Sequence, residues 1–447
     1  MPMTFRRALT AAAIVTGCTL AMRAETRGDA ELQFQLANLL FDETRYREAI
    51  QAYDRAIELG LSPVADRARK GKVRAALRIA EFGVARQEAE RLQAREKPDA
   101  EALTLYADAL WSNALFDESD RAYRDALGLE PDSARARFGI ARSLATRNRL
   151  EEALDEALAA VATAPRDGEI HATIGDIYER LNRFDQAANS YTSYINLLPN
   201  KDRSEKAAWS RSQVRFLEAF DGMTPVEIDE EDRNMLHTVP FKLVRDKIVV
   251  QGKVNGGRTI DFVLDTGSEE TVISREVAQR AGVRPITYTL SAGVGEIGLR
   301  GLQLARLDAL DIGTLQVRNL PVLIKNPPLR GIPRRETESF SPLSLGMSMR
   351  IDYRSRLLTM ARALPEAKAD FMLPMRVHRL AMVRGVLNST HPTYFVVDTG
   401  GEVISISSDT AGALEKSKYR RIPLKVYGTS GWDRDAFLLP GVNLDFD

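Results

Sequence analysis

The sequence has a single cysteine, Cys18, and only four histidines, and these shortages exclude two common kinds of site. One cysteine cannot form an intrachain disulfide or a cysteine-rich metal site. The histidines lack the paired spacing of a zinc enzyme; they are His171, His237, His378 and His391. We therefore expect a protein without a metal ion or other cofactor.

An excess of charge of either sign is also lacking. Lys plus Arg and Asp plus Glu both number 62, so no net field attracts nucleic acid, and we expect no nucleic-acid partner. The apolar fraction of 44% and charged fraction of 28% are typical of folded protein, and 447 residues suggest several domains. Beyond the N-terminus, no apolar run approaches the roughly 18 residues of a membrane span.

The N-terminal residues 1–24 have the order of a secretory signal peptide. Arg6 and Arg7 precede an apolar stretch and then small residues. The segment Val15-Thr16-Gly17-Cys18 also resembles the lipobox of bacterial lipoproteins, which implies lipidation at Cys18; cleavage after Ala21 is the alternative. We expect an exported, periplasmic protein, with a lipid anchor at Cys18 under the first of these two readings.

The first half of the chain repeats itself with a period of 34 to 36 residues. Small residues mark the period at Ala49, Ala85, Ser119, Ala153 and Ala187. Large residues recur three positions earlier, at Tyr46, Phe82, Phe116, Leu150 and Phe184. These spacings predict one face of a helix, on which a small residue lets the next helix approach. Pro131, Pro165 and Pro199 recur in one frame and predict the helix ends.

This pattern resembles the tetratricopeptide repeat, in five copies over about residues 30–200. The resemblance implies an all-α solenoid whose concave surface holds a protein partner. Residues 201–223 predict one more amphipathic helix that caps the array, so residues 25–222 are assigned to the repeats and cap. The acidic residues 223–239 are interpreted as a solvated linker.

The second half has the spacing of β-strands and is internally duplicated. The run FVLDTGSEETVIS begins at Phe262 and FVVDTGGEVISIS begins at Phe395, an offset of 133 with eight of thirteen positions identical. Gly252 and Asn255 match Gly385 and Asn388 at the same offset. The duplication predicts two related lobes, at 240–364 and 365–447.

Each copy contains Asp-Thr-Gly, at Asp265 and Asp398. An apolar strand delivers a carboxylate to a loop, the glycine permits close approach of two backbones, and the threonine hydroxyl is able to bond across to the facing loop. Neighbouring carboxylates hold one proton between them, so that one is a base for water and the other an acid. The alternative is that both aspartates are merely polar turn residues.

The triplets resemble those of retropepsin-like aspartic proteases, specifically the bacterial exported forms. The resemblance implies an all-β fold and an Asp265–Asp398 dyad supported by Thr266, Gly267, Ser268, Thr399 and Gly400, with the Ser268 hydroxyl on the carboxylate. It places a flap at Gly293 and Gly295, the strand behind the catalytic loop at Leu345-Gly346, and a closing hairpin at 351–358. The glycines of the flap also match G-x-G-x-x-G, but no helix follows them as a dinucleotide site requires.

The second copy departs from the family. Gly401 stands where a serine, threonine or alanine is expected, so the hydroxyl bond to the carboxylate is missing, and only 49 residues follow Asp398, which predicts a partial lobe. Two functions remain open: an exported aspartic endopeptidase whose repeats recruit a protein substrate or partner, and a non-catalytic repeat scaffold with a degenerate protease fold. A third arrangement is a homodimer that uses Asp265 from each chain.

Overall fold

The computed structural model describes residues 28–60, 62–199, 201–291, 300–325, 338–401, 403–414, 421–428 and 431–446. The signal segment with Cys18 and the flap residues Gly293 and Gly295 lie outside the described residues.

The first half of the chain is helical, as the periodicity predicts. A helix over 28–42, here α1, is followed by α2 (Tyr46–Leu59), α3 (Val64–Arg78), α4 (Phe82–Gln93), α5 (Ala100–Ser112), α6 (Phe116–Leu129), α7 (Ala134–Thr146), α8 (Leu150–Thr163), α9 (Gly168–Arg180), α10 (Phe184–Leu197) and α11 (Glu205–Glu218). The five periodic small residues, from Ala49 to Ala187, are fully buried. Pro131, Pro165 and Pro199 each lie two residues beyond the end of a helix.

The turn within each repeat has a feature that the periodicity did not reveal. One residue per repeat adopts a positive φ between 58° and 61°; these residues are Thr44, Ala80, Ala114, Asn148 and Asn182. Each follows the first helix of its pair and reverses the chain into the second. Only two of the five are asparagine, so the residue type alone gives a weak signal.

The chain divides into two compact units, and the division falls within the repeats. Leu144–Val161 and Pro165–Asp447 belong to one unit, and the preceding residues with Ala162–Ala164 to the other. In the preceding unit, the Tyr123 hydroxyl donates to Asp108 at 2.6 Å, and Arg135 pairs with the same carboxylate at 2.9 Å. The buried carboxylate of Asp108 is therefore paired, as stability requires.

In the second unit, α10 and α11 pack on a β-sheet. Phe184, Tyr191, Phe216, Leu217 and Phe220 share one buried cluster with Leu304 of the sheet. Partly buried Ile286 and Leu323 extend the cluster across neighbouring strands. The last repeat and the predicted capping helix thus share a hydrophobic core with the β-domain.

The strands follow in two groups, one for each lobe. Lobe one contains β1 (His237–Pro240), β2 (Lys242–Val244), β3 (Lys247–Val254), β4 (Ile260–Leu264), β5 (Thr271–Ser274), β6 (Pro285–Ser291), β7 (Arg300–Ile312), β8 (Leu315–Lys325), β9 (Ser339–Phe340), β10 (Ser348–Asp352) and β11 (Leu357–Ala361). Lobe two contains β12 (Met375–His378), β13 (Leu380–Leu387), β14 (His391–Val396), β15 (Ile422–Pro423), β16 (Val426–Gly428), β17 (Gly431–Asp433), β18 (Phe437–Leu438) and β19 (Leu444–Asp445). The short helices α12 (Glu230–Arg233), α13 (Arg275–Arg280) and α14 (Ser408–Ala413) complete the chain.

Lobe one is built on an eight-stranded sheet in the order β2-β3-β4-β9-β5-β8-β7-β6, in which β3 also pairs with β7. The predicted closing hairpin is β10–β11, and β1 adds a third strand to it. The interpretation of 223–239 as a solvated linker is wrong. Backbone bonds join Val226 and Glu227 to β8, and Ile228 lies in the core of the lobe, because its apolar side chain gains more from burial than from water.

Lobe two repeats the first part of lobe one. Its sheet contains the strands β12-β13-β14, and β19 pairs with β13. This pairing corresponds to that of the end of β7 with β3 in lobe one. Helices α13 and α14 begin 133 residues apart, after Ser274 and Ser407, whose side chains cap them. Among the described residues, none of the helices has the length and hydropathy to span a bilayer.

Candidate active site

Two matching strands, β4 and β14, deliver the two Asp-Thr-Gly loops. The Asp265 amide donates to the Phe340 carbonyl at 2.9 Å, and β9 runs parallel to β4 beside it. The strand behind this loop is therefore Ser339–Phe340, and its expected location at Leu345-Gly346 is wrong. Leu343–Leu345 form a 3₁₀ helix that ends at Gly346 with φ 61°, a conformation that a strand does not adopt.

The two threonines join the loops through reciprocal hydrogen bonds. The Thr266 hydroxyl donates to the Val397 carbonyl at 2.5 Å, and the Thr399 hydroxyl donates to the Leu264 carbonyl at 2.7 Å. Each hydroxyl also accepts from the other threonine's amide, at 3.0 Å from Thr399 and 3.2 Å from Thr266. The duplicated loops thus face one another within one chain, an arrangement that the sequence left open beside a homodimer.

The glycines of the triplets lie directly against the opposite carboxyl groups. A Cβ added to Gly267 would be 2.5 Å from Cγ of Asp398, and one added to Gly400 would be 2.7 Å from Cγ of Asp265. Real Cβ atoms do not approach other atoms so closely. The absence of a side chain at both positions is what lets the carboxyl groups converge.

Backbone amides orient both carboxyl groups. Gly267 donates to Asp265 Oδ1 at 3.1 Å, and Gly400 donates to Asp398 Oδ1 at 2.7 Å. Gly401 adds a second bond to Asp398 Oδ1 at 3.1 Å, so an amide serves where the family pattern has a hydroxyl. The expected role of Ser268 is wrong: its hydroxyl donates to the Glu270 carbonyl at 2.8 Å, which closes a turn within two residues.

The environment of Asp265 favours its protonated form. Burial raises the pKa of Asp265 above its ordinary value, and the nearby carboxyl of Asp398 raises it further. The Gly267 amide and the ammonium groups of Lys325 and Lys247 oppose this change. Asp398, by contrast, is exposed to solvent and accepts two backbone hydrogen bonds.

Sequence reasoning missed several groups around the loops. Lys325 ends β8 beside Ser274 of β5, whose hydroxyl donates to Glu338 at 2.5 Å. Glu269 and Glu270 follow the first triplet, and Glu269 forms a 2.8 Å ion pair with Arg379 of lobe two. Lys325, Glu338 and Arg379 lie outside the duplicated runs, and strand pairing and loop closure bring them to the loops. Within the described residues, no cluster of three or more His, Cys, Asp or Glu is arranged for a metal ion.

Comparison with protein families matches two parts of the chain. Residues 250–349 match an aspartyl protease model, and residues 34–101, 104–169 and 168–201 match tetratricopeptide repeat models. The chain therefore contains an array of tetratricopeptide repeats followed by a strand-rich, retropepsin-like aspartyl protease domain, which confirms the predicted fold class. The matched protease segment contains Asp265 and ends before Asp398.

Solved structures that match part of the chain include TTC0263, a thermophilic TPR protein of Thermus thermophilus, with 17% identity and a TM-score of 0.37; the match covers 41% of this chain and 98% of that one. YrrB, a TPR protein with an unusual peptide-binding site, is 21% identical with a TM-score of 0.29, over 43% of this chain and 96% of that one. The pilF protein of Pseudomonas aeruginosa is 15% identical with a TM-score of 0.32, over 45% of this chain and 94% of that one. No curated protein matches the chain.

Proposed function

We propose that this chain is an aspartic endopeptidase whose catalytic dyad, Asp265 and Asp398, comes from a single polypeptide. The observation that carries this proposal is the reciprocal pair of threonine hydroxyls, which fixes each loop to the backbone ahead of the opposite aspartate. A second lobe without a function would need neither the threonine bonds nor Gly400, whose missing side chain leaves room for the carboxyl group of Asp265.

The asymmetry between the two carboxyl groups assigns their roles. Asp398 is the base that accepts a proton from water as its oxygen bonds to the carbonyl carbon of the peptide. Asp265 holds the shared proton and donates it to the carbonyl oxygen. Collapse of the tetrahedral intermediate then breaks the C–N bond: the departing nitrogen takes the proton that Asp398 accepted from water, and a hydroxyl of the intermediate returns a proton to Asp265. Because the pKa of Asp265 is raised, this acid keeps its proton further up the pH scale than an ordinary aspartate.

The substrate of this reaction is a protein or peptide, and we assign recruitment of the substrate or of a partner protein to the repeats. Stacked helical repeats present extended concave surfaces that suit a protein segment. Export to the periplasm, with Cys18 as the lipidation site, is the location that we propose from the order of charges and apolar residues at the N-terminus. A flap at Gly293 and Gly295 remains part of the proposal, from the resemblance alone.

Cleavage of a denatured protein between about pH 3 and 7 by the full-length chain tests this function. Asp265→Asn and Asp398→Asn should each lower kcat at least about a hundredfold, because an amide replaces neither the acid nor the base. Asp261→Asn, an exposed change on β4, the strand that leads to Asp265, is the matched control and should retain activity. A wild-type protein without cleavage over this range, or two asparagine variants that match the control, would favour the non-catalytic scaffold.

A further inference from the structure

Lobe one is joined to the last repeat and the capping helix through a shared hydrophobic core. Phe216 and Phe220 of α11 are almost fully buried, and their rings meet at 5.4 Å between centroids. Phe220 also packs edge-on against Phe184 of α10 at 4.7 Å. Because Leu304 of β7 belongs to the same cluster, these helices hold the sheet that carries the Asp265 loop.

Lobe two is joined to the repeats by a different kind of contact, which is a buried arginine. Nη1 of Arg376, on β12, donates to Oγ1 of Thr146 at 3.1 Å, across 230 positions of sequence. Arg376 is 5% exposed and Thr146 is 3% exposed, so the bond is shielded from solvent. Both residues belong to the second compact unit. Lobe two is thus attached at the end of α7, whereas lobe one is attached at α10 and α11.

The contact with Thr146 accounts for a burial that the lobe itself does not explain. A buried guanidinium is costly unless its N–H groups are paired. Thr146 is the last residue of α7, where the partial negative charge of the helix end favours a cation. The residue of lobe one that matches Arg376, 133 positions earlier, is Leu243 on β2, and its side chain is exposed. The arginine is therefore not part of what the two lobes share.

Arg376 also lies in a row of paired residues that leads to the second Asp-Thr-Gly loop. Arg376 pairs with Met382 of β13, and Met382 pairs with Val396 of β14. Two strand spacings separate Arg376 from Val396, which is about 10 Å. Asp398 follows Val396 by two residues, and the Val397 amide between them donates to a carbonyl of β13 at 2.9 Å. A displacement of β12 is therefore passed through two strand pairings to Asp398.

The turn after β12 makes a weaker contact, with the first loop. Arg379 in this turn forms a 2.8 Å ion pair with Glu269, which follows Asp265 by four residues. The Arg379 side chain is 68% exposed, and exposed ion pairs contribute little to stability. The buried hydrogen bond of Arg376 therefore contributes more to the position of β12 than this ion pair does.

We propose that Arg376 is a positioning residue, through which the end of α7 sets the place of lobe two and so aligns Asp398 with Asp265. Lobe one is held by α10 and α11, so helices of the repeat region hold both lobes. Since Gly267 leaves no space beside Asp398, a small displacement of lobe two is enough to misplace the carboxyl groups. This inference rests on the proposed function only where it concerns cleavage.

The test compares full-length variants by amide hydrogen exchange and by peptide cleavage. Arg376→Met removes the donor and keeps a long side chain, and Thr146→Val removes the acceptor and keeps the shape. Each should speed the exchange of residues 394–401 about tenfold and leave β7 of lobe one unchanged, because only lobe two is released. Each should also lower kcat about tenfold and change KM much less, because the dyad is misplaced while the lobes remain folded.

Conservative variants separate positioning from a general loss of stability. Thr146→Ser keeps a hydroxyl acceptor and should behave as wild type does. Arg376→Lys keeps a charged donor and should restore most of the kcat that Arg376→Met loses. Arg384→Met, at an exposed arginine on β13, is the matched control and should equal wild type in both assays.

Equal exchange of residues 394–401 in Arg376→Met, Thr146→Val and the Arg384→Met control would overturn the proposal. Faster exchange of β7 to the same degree as residues 394–401 would also overturn it, because the whole unit would then be destabilised. If Arg376→Met fails to fold, Thr146→Val decides alone. A wild-type protein that cleaves nothing would contradict the proposed function, while the exchange measurement would still decide the role of Arg376.

Discussion

At the scale of single residues, the site depends on what its two glycines lack. Gly267 and Gly400 occupy equivalent positions, and each lies where a methyl group would meet the carboxyl group of the other loop. The threonines beside them bond to carbonyls that precede the opposite aspartates. Convergence of the carboxyls therefore requires a glycine and a hydroxyl in each loop, not only the aspartates.

Gly267→Ala tests this requirement. The added Cβ would lie 2.5 Å from Cγ of Asp398, so the loops must separate, and kcat should fall at least about a hundredfold while the fold is retained. Gly412→Ala on α14 is the matched control, because its Cβ would meet no atom within 4 Å. Equal activity of the two variants in a peptide-cleavage assay would show that the carboxyl groups do not converge at Gly267.

The residues of the Asp-Thr-Gly loops can be recognised in the sequence because the triplet is duplicated and because each residue type suits a chemical role in the site. Asp265, Thr266 and Gly267 recur at one offset, and the physical use of each type indicates a role. The partner of the Ser268 hydroxyl was not predictable in this way, since a short hydroxyl side chain bonds to backbone carbonyls of its own turn as readily as to a neighbouring carboxylate. Glu270 has no counterpart in lobe two, where Val403 stands at the matching position.

At the scale of elements, each lobe has an asparagine in a tight turn whose side chain forms hydrogen bonds with the backbone of a neighbouring segment. Asn255 has φ 49° after β3, and Asn388 has φ 50° after β13. The Asn255 side chain donates to the Ala281 carbonyl and accepts from the Ala309 amide, both at 3.0 Å. Asn388 accepts from the Asn443 amide at 3.0 Å, which secures the strand that follows in its own lobe.

Asn255→Ala should destabilise the second unit by about 2–4 kcal/mol. It removes two partly buried hydrogen bonds at about 1 kcal/mol or more each, and a left-handed backbone adds about 1–2 kcal/mol for a residue with a Cβ. Asn255→Gly separates these causes, because glycine adopts this φ freely and loses only the hydrogen bonds. The free energy of unfolding in urea should be highest for wild type, lower for Asn255→Gly and lowest for Asn255→Ala. An alanine variant as stable as wild type would contradict the role of the Asn255 hydrogen bonds.

Elements without such a local signal were placed less well. The expected strand at Leu345-Gly346 is the end of a 3₁₀ helix, because a leucine before glycine suits a helix end as well as a strand. The acidic residues of 223–239 conceal Val226 and Ile228, which attach the segment to lobe one. The charge of the segment predicts that most of its residues contact solvent, but it does not reveal the two apolar residues that attach it to lobe one.

At the scale of the molecule, periodicity predicts how repeats stack but not what the last of them covers. Phe184, Phe216 and Phe220 satisfy the helical pattern whether their partner is another helix or a sheet. The hydrophobic effect is not directional, so sequence alone does not distinguish these partners. The structure places these residues and the strands in one compact unit, which gives the repeats a structural role beside the proposed recruitment.

The central claim is that one chain supplies both members of the dyad, and a mixture of two inactive variants tests it most directly. Full-length Asp265→Asn and Asp398→Asn chains are assayed separately, mixed in equal amounts, and compared with wild type over a dilution series. A single-chain site cannot be rebuilt by mixing, so the mixture should stay as inactive as its components, and the specific activity of wild type should not change on dilution. Activity restored in the mixture would contradict the claim and favour a dimer that pairs Asp265 residues or exchanges lobes between chains.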